Sequence, residues 1–322
     1  MSAANALAAS SASGARANPA LGIALVLLMA ACFAVSDTTI KYLGAFVPVI
    51  FLLWARYLFQ ASVMALWLAR RGLAGFRTAH PKFQGVRGAL LLFTSAMAFF
   101  GLQVMPVAEF TALGMLTPVI VTLIAALVLR EPVGWLRWLL VWGGFVGALI
   151  VIRPGSGVFG WEALFPLLMA LCYGCFQVLT GKLAALESPY TTQFYTGFSG
   201  MLLLTPFLLP SAGAIAASLR EVPAGHWLLV LVIGLFATSG HLFLIFAYGH
   251  APSATLMPFT YTQIAFALIV GWVVFQHVPD GWAWVGMGVI ALCGGASAWL
   301  NVRGGPPRAH PDSAVAADTI AD

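Results

Sequence analysis

Leu27-Leu28-Met29-Ala30-Ala31-Cys32-Phe33 returns 140 residues later as Leu167-Leu168-Met169-Ala170-Leu171-Cys172-Tyr173, identical at five of seven positions. Neither copy contains a charge. Lys41 and Lys182 follow the two copies one residue out of step, and farther on Pro106 to Trp135 lines up with Pro252 to Trp282 at a displacement of 146 to 147, pairing Pro132 with Pro279. The chain therefore reads as a tandem duplication, and the duplicated unit is built of apolar stretches.

Working outward from that repeat, apolar runs between polar or Gly/Pro breaks give ten segments, beginning near Pro19, Ala45, Gly85, Val107, Trp135, Gly160, Tyr190, Trp227, Ala251 and Gly281. A membrane-spanning helix needs about 20 apolar residues. Backbone groups in lipid must be paired internally, and a helix alone achieves this in one continuous apolar span. The expected fold is thus an all-α integral membrane protein with ten transmembrane helices. Five crossings per unit is odd, so the second unit enters from the opposite side, giving two inverted five-helix repeats. The expected organisation is a disordered tail over 1–18, a first repeat over 19–153, a second over 160–302, and a second tail over 303–322.

Composition agrees. Of 322 residues, 61% are hydrophobic and 8% charged, against roughly 25% charged in soluble domains. A water-soluble globule and a large extramembrane enzyme domain are both excluded. The four cysteines lie in apolar stretches, so no disulfide and no metal site is expected, and Cys172-x-x-Cys175 reads as two thiols on one helix face. No cofactor is implied. With the N-terminus cytoplasmic, the inner side carries Arg16, Arg70, Arg71, Arg77, Lys82, Arg87, Arg130, Arg137, Lys182, Arg303 and Arg308, against Lys41, Arg153 and Arg220 outside. The positive-inside rule then places both termini in the cytoplasm of a bacterial-type inner membrane. The net charge of +5 belongs to these loops, and no basic-aromatic pattern points to nucleic acid.

The Trp54-Ala55-Arg56-Tyr57-Leu58 element and Leu129-Arg130-Glu131-Pro132 leading into a Gly-rich fifth segment, in this order within ten segments, resemble the drug/metabolite transporter superfamily, specifically its ten-helix EamA-type members. The resemblance covers about residues 20 to 300. His277-Val278-Pro279 stands where Glu131-Pro132 would recur, so that half of the motif is degraded. The stretch Ser36-Asp37-Thr38-Thr39-Ile40-Lys41 is weakly similar to the first helix of a branch that includes S-adenosylmethionine importers, and a similar Asp-to-Lys spacing occurs in riboflavin-transporter-like members. The resemblance implies transport of a small-molecule metabolite and does not choose among substrates.

An ionised group at the bilayer centre costs about 2.5 to 3.5 kcal/mol on insertion scales, so such groups face a cavity or a partner. Asp37 and Lys41 lie four apart on one helix face, placed either to pair with each other or to hold a zwitterionic ligand. Arg56, some ten residues into the second segment, can clamp a carboxylate or phosphate, or pair with a neighbouring helix. Glu109 opens the fourth segment as a proton-coupling carboxylate or as a helix N-terminal charge. His241 sits within the eighth segment as a proton carrier or a packing group. Together with Asp37, Glu109 and His241 form the proton-coupling set.

Pro118, after Thr117, and Pro258 interrupt the corresponding fourth and ninth segments. Paired breaks in inverted halves line a central pocket, or else bend packed helices. The expected substrate site lies between segments 1, 2, 4, 6, 8 and 9, formed by Asp37, Lys41, Trp54, Arg56, Thr117, Tyr173, Gln177, Tyr261 and Gln263. Gly143-x-x-x-Gly147 and Gly294-Gly295 allow close helix approach. They suit packing inside the bundle better than a dimer face, so a homodimer has weak support.

The reading is a secondary active transporter working by alternating access, driven by protons or by exchange. No G-x-x-x-x-G-K-[ST] loop for a nucleotide-driven pump occurs. The rival reading is a membrane-embedded enzyme or flippase for lipid-linked substrates. It would need a convergent acid/base or metal cluster, which no motif here supplies.

Overall fold

The computed structural model describes residues 18–117, 119–120, 134–153, 160–184, 186–251, 256 and 259–303. Pro118, Pro258, the Leu129-Arg130-Glu131-Pro132 element and, of the two tails, residues 1–17 and 304–322 fall outside them. Among the described residues every regular element is helical. In chain order the membrane helices are α1 Pro19–Leu43, α2 Val49–Ala69, α3 Pro81–Val104, α4 Val107–Gly114, α5 Trp135–Ile152, α6 Leu164–Ala184, α7 Pro189–Leu208, α8 Ala224–His250, α9 Thr262–Phe275 and α10 Gly281–Arg303. A short helix, Ala212–Arg220, links α7 to α8. The stretches Pro19–Leu43, Val49–Ala69, Pro81–Val104, Pro189–Arg220 and Ala224–Ala247 are long and apolar enough to cross a membrane.

Proline sets most of the starts. Pro19, Pro81 and Pro189 occupy the first turns of α1, α3 and α7, where the missing N–H costs nothing. At α1, Asn18 Oδ1 also accepts from Leu21 N at 3.1 Å. Two expected starts are displaced for this reason. The second helix begins at Val49 rather than near Ala45, because Pro48 (ψ 126°) is extended and ends the turn after α1. The third begins four residues before Gly85, at Pro81.

The pairing of helices repeats the duplication. The main partners are α1 with α8, α2 with α7, α3 with α6, and α5 with α10. Adding α2–α8, α3–α7, α1–α9, α4–α6 and α4–α9 gives a set that maps onto itself when each helix is exchanged for the one five places along. The two halves are thus interlocked about a common axis and do not form separate lobes. Lipid tails are as apolar as leucine, so packing rather than hydrophobic exclusion holds such helices together. The α5–α10 crossing shows how: a Cβ on Gly286 would stand 2.7 Å from Gly147 O, and one on Gly147 would stand 3.0 Å from Gly286 O. Gly143 also faces α10, at Cys293, so this glycine pair serves the bundle interior.

Polarity is arranged inside out. Leu28, Leu66, Trp142 and Leu292 are exposed, whereas Gln60, Gln193 and Thr196 are fully buried. Trp135, Trp161 and Trp282 stand exposed at helix starts, suited to the interfacial region.

A central cavity on the axis of the repeat

The bundle holds a cavity of about 140 Å³ lined by α1, α2, α3, α4, α6, α8 and residues at the start of α9. Six of these helices are the ones expected from the sequence, and α3 is additional. Asp37, Arg56, Thr117, Tyr173, Gln177, His241 and Gln263 all line it.

Backbone breaks interrupt two of the lining segments. Helix α4 stops at Gly114, turns through Met115 and Leu116, and resumes at Thr117; Tyr261 is likewise a turn between Thr260 and Thr262. Met115 and Tyr261 are 146 residues apart, so the breaks occupy corresponding positions. Each is patched by a threonine: Thr117 Oγ1 donates to Gly114 O at 2.8 Å, and Thr262 Oγ1 to Phe259 O at 2.6 Å. The hydroxyls supply carbonyl partners lost where the helical ladder is interrupted.

The walls obey the same displacements. At 140 residues, Met29 matches Met169, Phe33 matches Tyr173, and Asp37 matches Gln177, and all six line the cavity. At 146, the same holds for Leu91 with Ala237, Ser95 with His241, and Ala98 with Leu244. Thr117 with Gln263 completes the pattern, as does Gly114 with Thr260. The cavity therefore sits between the halves, on the axis that relates them.

Arg56 is the cation of the site. Its Nη2 donates to Ser95 Oγ at 2.7 Å, Tyr57 Oη donates to the same oxygen at 3.0 Å, and the guanidinium lies 4.3 Å from the Tyr57 ring centroid. Its Nε has no hydrogen-bond partner among the described residues, although the side chain is 4% exposed. Asp37 shares the cavity and feels the charge of Arg56, but no ion pair joins them. The His241 ring is held edge-on by Phe33, with centroids 5.0 Å apart.

Four expected site residues point elsewhere. Lys41 does not pair with Asp37: its Nζ donates to Leu102 O at 2.8 Å and Met105 O at 2.9 Å, closing the C-terminus of α3 where the helix dipole favours a cation. Trp54 Nε1 donates to Thr205 Oγ1 on α7 at 3.1 Å. Tyr261 turns its hydroxyl toward Gly294 on α10, into the space a Cβ there would need. Glu109 lies beyond the cavity, its Oε1 accepting from His277 Nε2 at 3.0 Å. Lys41 and His277 instead line a second cavity of about 150 Å³ between α4 and α9.

Arg87 corrects the loop assignment. Rather than a loop cation it is a buried member of α3, 1% exposed. Nε donates to Thr180 Oγ1 at 2.8 Å, Nη1 to Thr196 Oγ1 and to Thr192 O at 3.4 Å, and the guanidinium lies 4.5 Å from the Phe176 ring centroid. Ser95 and Thr94 were also missed as site residues. An adjacent pair of hydroxyls in the middle of an apolar helix was the signal that could have found them.

The family model described as the EamA-like transporter family matches residues 20–153 and again 160–294. A riboflavin transporter of Rhizobium johnstonii is 34% identical over 225 residues, 70% of this chain and 72% of that protein. An S-adenosylmethionine uptake transporter of Rickettsia prowazekii is 24% identical over 264 residues, 80% of this chain and 86% of that protein. One solved crystal structure shares the fold, with a TM-score of 0.60 at 17% identity over 90% of this chain and 99% of the other.

Proposed function

Because the chain belongs to the EamA-like transporter family, within the drug/metabolite transporter superfamily, we propose that it carries a flat heteroaromatic metabolite of the riboflavin class across the inner membrane by alternating access. The observation that carries this reading is the cavity itself. Three methionines (Met29, Met115, Met169) and three aromatic rings (Phe33, Phe110, Tyr173) wall it, while Arg56, Asp37, Gln177 and Gln263 supply convergent polar groups. Polarizable sulfur and π faces suit a planar ring, and a few placed polar groups fix its orientation. The similarity to a riboflavin transporter agrees with that chemistry.

Alternating access would use the interlocked halves: the pairs α1–α8 and α6–α3 exchange roles as the cavity opens to one side and then the other. We place the end bearing Arg70, Arg71, Arg77 and Lys82 in the cytoplasm, since the linker between α2 and α3 carries these charges. Both termini then face the cytoplasm, and the Glu109–His277 end faces outward. Glu109 is the foremost proton-coupling candidate, ahead of Asp37 and His241, because its Oε2 is buried without a partner among the described residues. A proton on Glu109 would weaken its link to His277 and loosen the outer end. No catalytic step and no cofactor form part of this reading.

The test is uptake of labelled riboflavin by proteoliposomes holding the full chain, with and without an imposed pH gradient. Saturable uptake that is lost in Arg56→Ala supports the reading. Flux equal to that of protein-free vesicles, from a preparation shown to be folded, overturns it.

A further inference from the structure

The cavity lining keeps the two-fold relation in its apolar members and breaks it in its charged ones. Met29 is matched by Met169 and Phe33 by Tyr173, thioether for thioether and ring for ring. Asp37 of α1, however, is matched by the uncharged Gln177 of α6. The residue 140 beyond Arg56 is Thr196, whose hydroxyl is taken up by Arg87 and does not line the cavity. Both formal charges of the lining thus stand on α1 and α2 of the first half. The two glutamine amides stand on the second-half side, at Gln177 and Gln263.

This asymmetry dictates how a solute is held. Asp37 as a carboxylate only accepts hydrogen bonds, and Arg56 only donates. They form no ion pair with each other, and Arg56 Nε is buried without a partner among the described residues. A buried guanidinium with a donor to spare, beside a part-buried carboxylate on the same cavity, gains most from a ligand that offers an acceptor to Arg56 and a donor to Asp37. A chain of hydroxyls does this, as does an amino-acid group. A phosphate supplies acceptors to Arg56 and brings a like charge to Asp37. On the other wall, each primary amide offers one acceptor and two N–H donors, which matches the alternating N–H and C=O edge of a heteroaromatic ring.

We infer that the cavity binds its solute in a single orientation, with a flat ring read at its edge by Gln177 and Gln263, and a tail bearing both donors and acceptors held between Asp37 and Arg56, phosphorylated tails being rejected by Asp37. The inference rests on the heteroaromatic reading above and adds the polarity of the site, the class of tail and the residue that discriminates. A polyol tail, as in riboflavin, and an amino-acid tail, as in S-adenosylmethionine, share this chemistry, and the experiment separates them.

The experiment is equilibrium binding to the purified full-length protein in detergent, by calorimetry, with riboflavin, its tail-less ring lumichrome, flavin mononucleotide and S-adenosylmethionine as probes. In the wild type, one of the two tailed probes binds best. Riboflavin exceeds both lumichrome and flavin mononucleotide by about tenfold or more, the scale expected when buried polar groups are left unpaired or face a like charge. If S-adenosylmethionine is the better ligand, adenine and adenosine monophosphate take the places of lumichrome and flavin mononucleotide. In Asp37→Asn the preference against the phosphate narrows to within about threefold, because the repelling charge is gone. Gln177→Leu weakens the tailed and tail-less rings alike. The wild-type ligand series needs no substitution, so it reports even where a variant fails to fold.

A tail-less ring that binds as well as the tailed one overturns the inference, as does a phosphate penalty unchanged in Asp37→Asn. Either result leaves the heteroaromatic reading standing. Folded wild-type protein that binds none of the probes overturns that reading, and the orientation with it.

Discussion

Glu109 of α4 and His277 of the turn before α10 meet at 3.0 Å, with the carboxylate side chain 4% exposed and the imidazole 43%. The contact ties the start of α4, next to the cavity-lining Phe110 and Thr111, to an exposed turn of the other half. Breaking it from the two sides should have different effects. His277→Ala strands a buried carboxylate and is expected to lower stability by about 1 to 3 kcal/mol, the cost of an unsatisfied buried group. Adding Glu109→Gln should recover part of that loss. Thermal melting of the two single variants and the double variant in detergent measures the coupling, and additive losses would show the contact to be inert.

The same glutamate bears on energy coupling. If Glu109 carries the proton, Glu109→Gln in proteoliposomes should lose the acceleration of uptake by a pH gradient while keeping exchange of internal for external substrate. Retained acceleration would assign coupling to Asp37 or His241 instead.

Gly286 lies on α10 where α5 crosses, and a Cβ there would stand 2.7 Å from Gly147 O and 2.9 Å from Val151 N. Both obstacles are backbone, so neither can swing aside. Gly286→Ala should therefore force the helices apart and cost about 1 to 3 kcal/mol, as overpacking does. Gly288→Ala, where nothing lies within 4 Å, is the matched control and should melt as the wild type does.

What the sequence revealed and what it hid divide along physical lines. The helices were legible because apolar runs between proline and glycine breaks determine membrane segments almost unaided. Asp37, Arg56, Tyr173, Gln177, His241 and Gln263 were legible because a polar group inside an apolar span must find a cavity or a partner. Direction around the helix was not legible. Lys41 and Trp54 lie on the same helices as cavity residues but turn to α3 and α7, and no periodicity in an evenly apolar helix tells these faces apart. His277 looked like a degraded motif because its partner, Glu109, lies 168 residues away.

Asp280 caps α10, its Oδ1 accepting from Ala283 N at 2.8 Å, while Oδ2 meets Arg153 Nη2 at 2.6 Å. The backbone N–H, and then the guanidinium, hold this exposed carboxyl below the ordinary carboxylate range. A carboxyl depressed in the folded state contributes stability that is complete above its unfolded value, about 3.9, and is lost as pH falls through the lower folded value. Stability should therefore be insensitive to Asp280 from neutrality down to about pH 5 and should decline below it. In Asp280→Asn this share of the acid decline disappears, since asparagine still caps the helix without titrating. Melting temperatures of the two proteins between pH 3 and 7 decide the matter, and parallel curves would remove Asp280 from the account.

Arg87 offers the strongest test of the buried frame. The run of cations from Arg70 to Arg87 looks like one loop, yet α3 starts at Pro81, and its second turn carries Arg87 inward among α6 and α7. Its donors meet hydroxyls and a carbonyl, and no carboxylate of the described residues lies within ion-pair distance. Lysine keeps the charge but has neither the fork nor the flat face that rests on Phe176. Arg87→Lys should thus lose hydrogen bonds to Thr180 and Thr196 that only the planar group can make together, and Arg87→Met should remove the charge as well as the donors. If shape governs, both variants fall by a similar amount, about 2 to 4 kcal/mol for a buried charged hydrogen-bonding group. If charge alone governs, the lysine variant stays near the wild type. Denaturation of the three proteins in one detergent separates these outcomes, and riboflavin binding by the lysine variant then shows whether the frame behind Tyr173 and Gln177 still holds the cavity in shape.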